Sequence, residues 1–144
     1  RFNTTITMLD VIIDKGVALG GPLGIQGDIK AKVGVIEGTY RYDNGKSSRA
    51  VIQHLWTKED RRNWAGLVYE YNFSTSLNVF IADGWNYGSN DKIHYYNIGG
   101  SYSKKNTRVS LNYGRQRGGL ICVGGVCRYV PENTGINLNL NLVF

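Results

Sequence analysis

Two cysteines and two histidines are the residues of this 144-residue chain best suited to chemistry. The cysteines enclose the segment Cys122-Val-Gly-Gly-Val-Cys127. Gly124-Gly125 suits a two-residue primed turn, and that register places Cys122 opposite Cys127 in the closer, non-hydrogen-bonded type of strand pair. A disulfide can bridge this separation. We therefore predict a Cys122–Cys127 disulfide and an oxidising compartment, such as the periplasm or the cell surface.

The histidines, His54 and His94, lie far from the cysteines in sequence, and a metal site would need more ligands. We predict no metal and no cofactor. An outer-membrane enzyme acting on lipid would need a nucleophile or base grouped at one rim of a barrel. Ser89, Asp83 and Asp91 are the candidates beside the histidines, but no Ser-His-carboxylate spacing stands out. We predict no catalytic residue, with a lipid-modifying enzyme kept as an alternative.

Positive charge is the other chemical feature of the chain. Seventeen Lys and Arg against eleven Asp and Glu give a net charge of +6 and a pI near 9.4. The basic residues are scattered and form no stripe, so phosphate-rich lipid headgroups are preferred as partners over nucleic acid. Arg115, Arg117 and Arg128 flank the cysteine segment, and we predict that they contact lipopolysaccharide phosphates or a partner protein at the outer rim.

The last eleven residues alternate with a period of two, which is typical of a strand. The polar set is Asn137, Asn139 and Asn141, and the apolar set is Ile136, Leu138, Leu140, Leu142 and Phe144. Asparagine is a poor strand former, so three at alternate positions need a reason. A wet interior on the Asn side and lipid on the Leu side would supply one. A strand of this type ending in Phe resembles the closing strand of bacterial outer-membrane β-barrels, in which the last residue belongs to the signal read by the barrel-assembly machinery. The resemblance extends that role to Leu140, Leu142 and Phe144.

The composition is that of a β protein, with 19 Gly, 10 Tyr and only 2 Pro. Mean hydropathy is −0.29, and no apolar run reaches the roughly 18 residues of a membrane helix. No initiator Met or signal peptide precedes Arg1, so either a leader has been removed or the chain is a fragment. Eight segments read as strands, with the parity of the first two open: Asn3–Ile13, Ile29–Tyr42, Ser48–Thr57, Trp64–Phe73, Ser76–Tyr87, Lys92–Ser103, Thr107–Arg117 and Thr134–Phe144.

The connections alternate in length along the chain. Those at 43–46, 74–75 and 104–106 are short, and those at 14–28, 58–63, 88–91 and 118–133 are mostly longer. A barrel with short turns at one rim and longer loops at the other predicts this order. Aromatic residues also concentrate near the strand ends, where the aromatic girdles of such barrels lie. We therefore predict one all-β domain over 1–144, an antiparallel up-and-down transmembrane β-barrel of eight strands.

Several segments carry a more specific resemblance. The run Tyr113–Pro131 with the alternating end, together with Gln53–Lys58, Asn63–Ala65 and His94–Asn97, resembles the C-terminal region of a Bacteroidota outer-membrane β-barrel family of unknown function. The similarity covers roughly residues 48 to 144. Members of that family are several times longer, so the chain can be the C-terminal segment of a wider barrel. The resemblance implies a fold and a location in the bacterial outer membrane, and it implies no catalytic residue.

A polar lumen follows from the strand parity. It is predicted to contain Glu37, Arg41, Glu70 and Arg108 with Asn137, Asn139 and Asn141, and its buried charges must pair. We predict that Glu37 or Glu70 pairs with Arg41 or Arg108. The predicted role is structural, at the surface or in a complex, with outer-membrane lipids, the assembly machinery and other outer-membrane proteins as partners. The alternatives are part of a wide pore or transporter, and a soluble lipocalin-like binder.

Overall fold

The computed structural model shows an all-β protein. It describes residues 1–14, 28–42, 44–58, 62–117, 119–123 and 126–142, with the backbone alone at 13–14, 28–29, 119–123 and 126–130. The described residues form one antiparallel sheet of eight strands and a separate two-stranded ribbon, and they contain no helix. Within them, therefore, no helix has the length and apolar character needed to cross a membrane.

Ten strands follow one another along the chain. They are β1 (Phe2–Asp14), β2 (Asp28–Arg41), β3 (Ser47–Thr57), β4 (Trp64–Asn72), β5 (Leu77–Trp85), β6 (His94–Lys104), β7 (Thr107–Gln116), β8 (Gly119–Val123), β9 (Val126–Val130) and β10 (Asn133–Leu142). The order in the large sheet is β1-β2-β3-β4-β5-β6-β7-β10, and every neighbouring pair is antiparallel. Each of the eight predicted strands is present in this sheet, within two residues at the ends that the structure describes.

The ribbon of β8 and β9 is an element that the sequence did not predict as strands. It lies inside the connection predicted over 118–133, and it pairs Cys122 with Cys127 and Val123 with Val126. The predicted register of the two cysteines is therefore confirmed at the level of the backbone. Gly124 and Gly125 lie outside the described residues, as do the cysteine side chains, so the disulfide itself stays a prediction.

The two rims of the sheet differ in the length of their connections, as predicted. At the short-turn rim, 42–46, 73–76 and 105–106 join successive strands, whereas at the long-connection rim the links include 58–63, 86–93 and 117–132. At the first of these turns Gly45 has a φ of +77°, a left-handed value that favours glycine, and the Tyr42 amide donates to the Lys46 carbonyl at 3.0 Å. Each connection between neighbours thus reverses the chain at the rim that the sequence indicated.

The sheet is open. The pairings of the described residues give β1 one neighbour, β2, and give β10 one neighbour, β7. A closed barrel needs backbone hydrogen bonds between its first and last strands, and the described residues of β1 and β10 do not pair with each other. The structure thus shows an antiparallel sheet with two edges where the sequence predicted a closed barrel.

The two faces of this sheet differ in polarity. Directly opposed residues of an antiparallel pair share a face, so the register assigns every strand residue to one side. The apolar face includes Ile36, Ile52 and Leu67, which lie in one row across β2, β3 and β4. The polar face includes Glu37, Val51 and Val68 in the next row.

Candidate functional site

The apolar face is exposed over the whole width of the sheet. Near the middle of the strands it presents large aliphatic or Met side chains that are 50–78% exposed, one from each strand of the large sheet: Met8, Ile36, Ile52, Leu67, Ile81, Ile98, Leu111 and Leu138. We call this row the aliphatic belt. The other face is more shielded, and Val51, the chain neighbour of Ile52, is only 8% exposed. From β3 to β7 the sheet therefore shields its polar face more than its apolar face, whereas β10 is exposed on both faces.

Aromatic rings border the aliphatic belt at the short-turn rim. The ring centroids of Tyr40 and Tyr42 are 4.7 Å apart, those of Tyr42 and Tyr71 are 6.2 Å apart, and those of Tyr71 and Phe73 are 4.7 Å apart. Such separations are those of ordinary aromatic pairs. Four rings from the ends of β2 and β4 and the turns that follow them thus form a continuous cluster.

A second ring cluster borders the belt at the long-connection rim. His54 contacts Trp56 at 4.1 Å and Tyr87 at 5.7 Å between ring centroids, and Trp85 contacts Tyr87 and His94 at 5.4 Å each. The predicted concentration of aromatic residues at both rims is therefore present. Trp64 also lies at this rim, although on the polar face. It lies opposite Leu55 and stacks with Tyr95, on the polar side.

Gly34 makes room for one member of the second cluster. A Cβ atom at Gly34 would lie 3.1 Å from Cζ3 of Trp56 and 3.2 Å from its Cη2. The indole therefore leans over the backbone of β2, next to His54, which is the direct partner of Gly34. Gly34 on β2 therefore leaves the space that the indole of Trp56 on β3 occupies.

Both histidines have polar partners at this rim. His94 Nδ1 lies 2.7 Å from Asp83 Oδ2, and His54 Nε2 lies 2.6 Å from the Tyr87 hydroxyl. Ser89 and Asp91 are in neither contact: the Ser89 amide donates to Asn86 Oδ1 instead. Across the described residues, no group of three or more His, Cys, Asp or Glu side chains could hold a metal ion. In the part of the chain that the structure describes, His94 is thus paired with a carboxylate and His54 with a phenol, and neither contacts a serine hydroxyl.

The polar face is organised around Arg49. Its Nε donates to Glu37 Oε1 at 2.8 Å, its Nη2 donates to Glu37 Oε2 at 2.9 Å, and its Nη1 donates to Glu70 Oε2 at 3.2 Å. One guanidinium therefore links carboxylates from the strands on either side, in a bidentate geometry with Glu37. The predicted pairing of these glutamates with Arg41 or Arg108 was wrong, since both bind Arg49.

Amide and hydroxyl side chains continue the polar face toward β10. Asn112 Nδ2 donates to Asn97 Oδ1 at 3.2 Å, and Arg108 Nη2 lies 3.4 Å from Ser101 Oγ. On β10 the predicted Asn residues occupy the polar face, and Asn141 Nδ2 donates to Asn139 Oδ1 at 2.8 Å. Asn137 lies opposite Asn112. The predicted lumen residues thus share one face, although Arg41 and Arg108 do not join the Arg49 cluster.

The arginines predicted to contact lipid or a partner have contacts within the chain. Arg115 Nε donates to Glu132 Oε1 at 2.7 Å, and the Tyr95 hydroxyl donates to Glu132 Oε2 at 3.1 Å. The Arg117 guanidinium lies 4.8 Å from the centre of the Trp64 ring. Arg115 and Arg117 therefore attach the end of β7 to neighbouring elements. The side chain of Arg128 lies outside those described.

The sequence model of a family of unknown function, DUF6029, matches residues 1–144. The chain belongs to the DUF6029 family. No curated protein and no solved structure matches it.

Membership of DUF6029 extends the similarity beyond the residues 48 to 144 that carried the predicted resemblance, since the match includes β1 and β2. It transfers no residue roles, because the family has no known function. For this DUF6029 chain, the features that could carry function are therefore the two faces, the ring clusters and the rims. Of the predicted assembly signal, Leu140 and Leu142 lie on the apolar face, opposite Val109 and Thr107, and Phe144 lies outside the described residues.

Proposed function

We propose that the chain forms the wall of a β-barrel in a bacterial outer membrane, as in Bacteroidota, with a structural, surface or complex-subunit role. The aliphatic belt with an aromatic cluster on each side carries the proposal. Membrane barrels have an outward apolar band about 25 Å tall between two aromatic girdles, with a polar interior. A soluble lipocalin-like barrel would turn its apolar side inward, which is the face that this sheet exposes.

The strand lengths fit a bilayer. The strands of the large sheet contain 9 to 14 residues, and a tilted membrane strand needs about 9 to 11. In this arrangement the apolar face contacts lipid tails, and the Arg49 cluster lies inside, with its charges paired. The role is one of support: no group of side chains in the described residues has the geometry of a nucleophile with its base.

The open edges favour a second candidate, in which these strands are part of a wider pore or transporter barrel. Within hydrocarbon every backbone N–H and C=O needs a partner, so the free edges of β1 and β10 must pair with each other or with further strands. Pairing with further strands would enlarge the lumen until it holds water. The Arg49 cluster would then line an aqueous pathway.

The three tryptophans provide a direct test. Trp56 and Trp85 belong to the apolar face, whereas Trp64 lies on the polar side. Variants that retain one tryptophan each, with Phe at the other two positions, are folded into vesicles of phosphatidylcholine brominated on the acyl chain. We expect the bromines to quench Trp56 and Trp85 strongly and Trp64 weakly. Equal quenching of all three, or none, contradicts the proposed orientation.

Size distinguishes the two candidates. The native protein is extracted from its membrane, and its intact mass and its electrophoretic migration with and without boiling are measured. A species near 16.1 kDa that migrates differently when unheated supports a self-sufficient barrel. A mass several times larger supports the wide barrel, and a lack of any heat-dependent shift contradicts both.

A further inference from the structure

A groove lies at the long-connection rim, beside the apolar face. It has a volume of about 1350 Å³ and is lined by the ends of β1 and β3, the start of β2 and the connections that follow β3 and β5. Four of its lining residues are cations: Lys30, Lys32, Lys58 and Arg62. These cations come from two segments, the start of β2 and the connection after β3, and they line one groove because β2 and β3 are neighbours in the sheet.

The charge of the groove is positive. Asp10 is the one carboxylate among its lining residues, and its Oδ2 lies 3.8 Å from Lys32 Nζ. Both side chains are about 70% exposed, and an exposed pair of this kind is weak. Within the described part of the chain, Lys30, Lys58 and Arg62 form no ion pair. The lining residues carry four cations and one carboxylate, a balance of +3, and adding Glu59, Asp60 and Arg61 from the sequence lowers it to +2.

The wall of the groove is held in place by hydrogen bonds. Asn63 Oδ1 accepts from the Thr57 amide at 3.1 Å, and the Asn63 carbonyl accepts from the Gly88 amide at 3.1 Å. A Cβ at Gly88 would lie 2.6 Å from Cβ of Arg62, so the two connections touch at this point. Arg62 itself has a φ of 60°. A non-glycine residue in this region is uncommon, and such conformations persist only where surrounding contacts enforce them.

The floor of the groove is apolar and continues onto the apolar face. Ile12 and Trp56 line it and are 65% and 46% exposed. Tyr87 lines it as well, and its hydroxyl contacts His54. Cations above a hydrocarbon surface match a molecule with an anionic head and an apolar tail. A free anion or a nucleic acid would leave the apolar floor uncovered.

We propose that this groove binds the phosphorylated headgroup of a membrane lipid. Lys30, Lys58 and Arg62 hold the phosphate, and the acyl chains lie along Ile12 and Trp56 and continue down the apolar face. The assignment rests on the proposed function, since it places the groove at the level of the headgroups. It also moves the main lipid contact away from Arg115 and Arg117, which are engaged within the chain.

The test measures retention of a diphosphorylated lipid A by the full chain in zwitterionic detergent micelles, using native mass spectrometry. The groove variant carries Lys30→Ser, Lys58→Ser and Arg62→Ser. The matched control carries Lys46→Ser, Lys104→Ser and Lys105→Ser, which removes the same charge at the short-turn rim. Each cation near an anionic surface is worth about fivefold in binding, so we expect about a hundredfold loss in the groove variant and little loss in the control.

Several outcomes would overturn the proposal. Equal losses in the two triple variants would mean diffuse attraction with no site, and undiminished retention in the groove variant would remove the site altogether. Displacement of the lipid by millimolar inorganic phosphate would indicate a phosphate-ion site. If the triple variant fails to fold, the three single variants are measured, and about fivefold losses are expected from each. The tryptophan-quenching experiment distinguishes failure of this proposal from failure of the proposed function. Normal quenching without retention of lipid A refutes the lipid site in the groove alone, whereas a lack of quenching refutes the membrane orientation.

Discussion

Ile52 is the position at which the introduction of a single charge should destabilise the protein most. It lies five residues from each end of β3, which spans Ser47–Thr57. Ten intervals at about 3.3 Å give a strand of about 33 Å, and a tilt of about 45° reduces its height to about 23 Å. This height is close to the apolar band of about 25 Å in membrane barrels. Ile52, at its centre and 57% exposed, should therefore lie near the bilayer midplane.

We expect Ile52→Arg to lower the free energy of unfolding in vesicles by about 2–4 kcal/mol, the cost of arginine on the lipid face at the midplane. This corresponds to a change of about 30- to 900-fold in the folding equilibrium. At an exposed site in water the same change would fall within about 0.5 kcal/mol of zero. The expected loss is therefore large only if the apolar face contacts lipid.

The assay is reversible denaturant unfolding of the chain from phosphatidylcholine vesicles, followed by tryptophan emission. Two controls carry the same substitution. Ser48→Arg keeps the strand and the face but lies near the short-turn rim, where the cost should fall to about 0–1 kcal/mol. Gln53→Arg keeps the height but lies on the polar face. If Ile52→Arg costs no more than these two controls, the reasoning from face and depth is wrong.

Three further changes test the polar face, the rim cluster and the ribbon. Arg49→Met should destabilise the protein more than Arg108→Met in the same unfolding assay, because it removes three hydrogen bonds and leaves two carboxylates facing each other. Equal losses of unfolding free energy in the two variants would mean that Arg49 contributes no more to stability than Arg108 does. Gly34→Ala should cost about 1 kcal/mol and shift the tryptophan emission, because its Cβ would meet Trp56 at 3.1 Å. Gly38→Ala, whose Cβ would lie 3.6 Å from an aromatic ring, should be neutral, and a similar cost at both sites would contradict this account. The two cysteines of the β8–β9 ribbon should resist alkylation until a reductant is added, and modification of the unreduced protein would exclude the disulfide.

Much of the fold could be predicted because each strand carries its own alternation. The parity of β10 followed from its Asn and Leu residues alone, and the rims followed from the lengths of the connections. The register of Cys122 and Cys127 could be predicted because the intervening segment is symmetrical. Closure could not be judged in this way, since the pairing of β1 with β10 depends on the curvature of the whole sheet and not on any local pattern.

The Arg49 cluster and the groove were less predictable than the fold, because both depend on the register between strands. Arg49 lies directly opposite Glu70 on β4 and two residues from the position opposite Glu37 on β2. A shift of two residues in either pairing would change its partners, and the sequence does not fix connection lengths that closely. The groove was harder still to predict from the sequence. Lys30 comes from the start of β2, and Lys58 and Arg62 come from the connection after β3. Nothing in the spacing of these residues indicates that the two segments line one groove.

The order of the strands has a consequence for how the sheet forms. Every pairing but one joins strands that are consecutive in sequence, so most contacts are local and folding should be fast for a β protein. Closing a loop costs more entropy as it lengthens. The two-residue link 105–106 should therefore bring β6 and β7 together early, and pairing then spreads outward one hairpin at a time. β10 joins last across 117–132, and the β8–β9 ribbon, once formed, shortens the span that remains free to move.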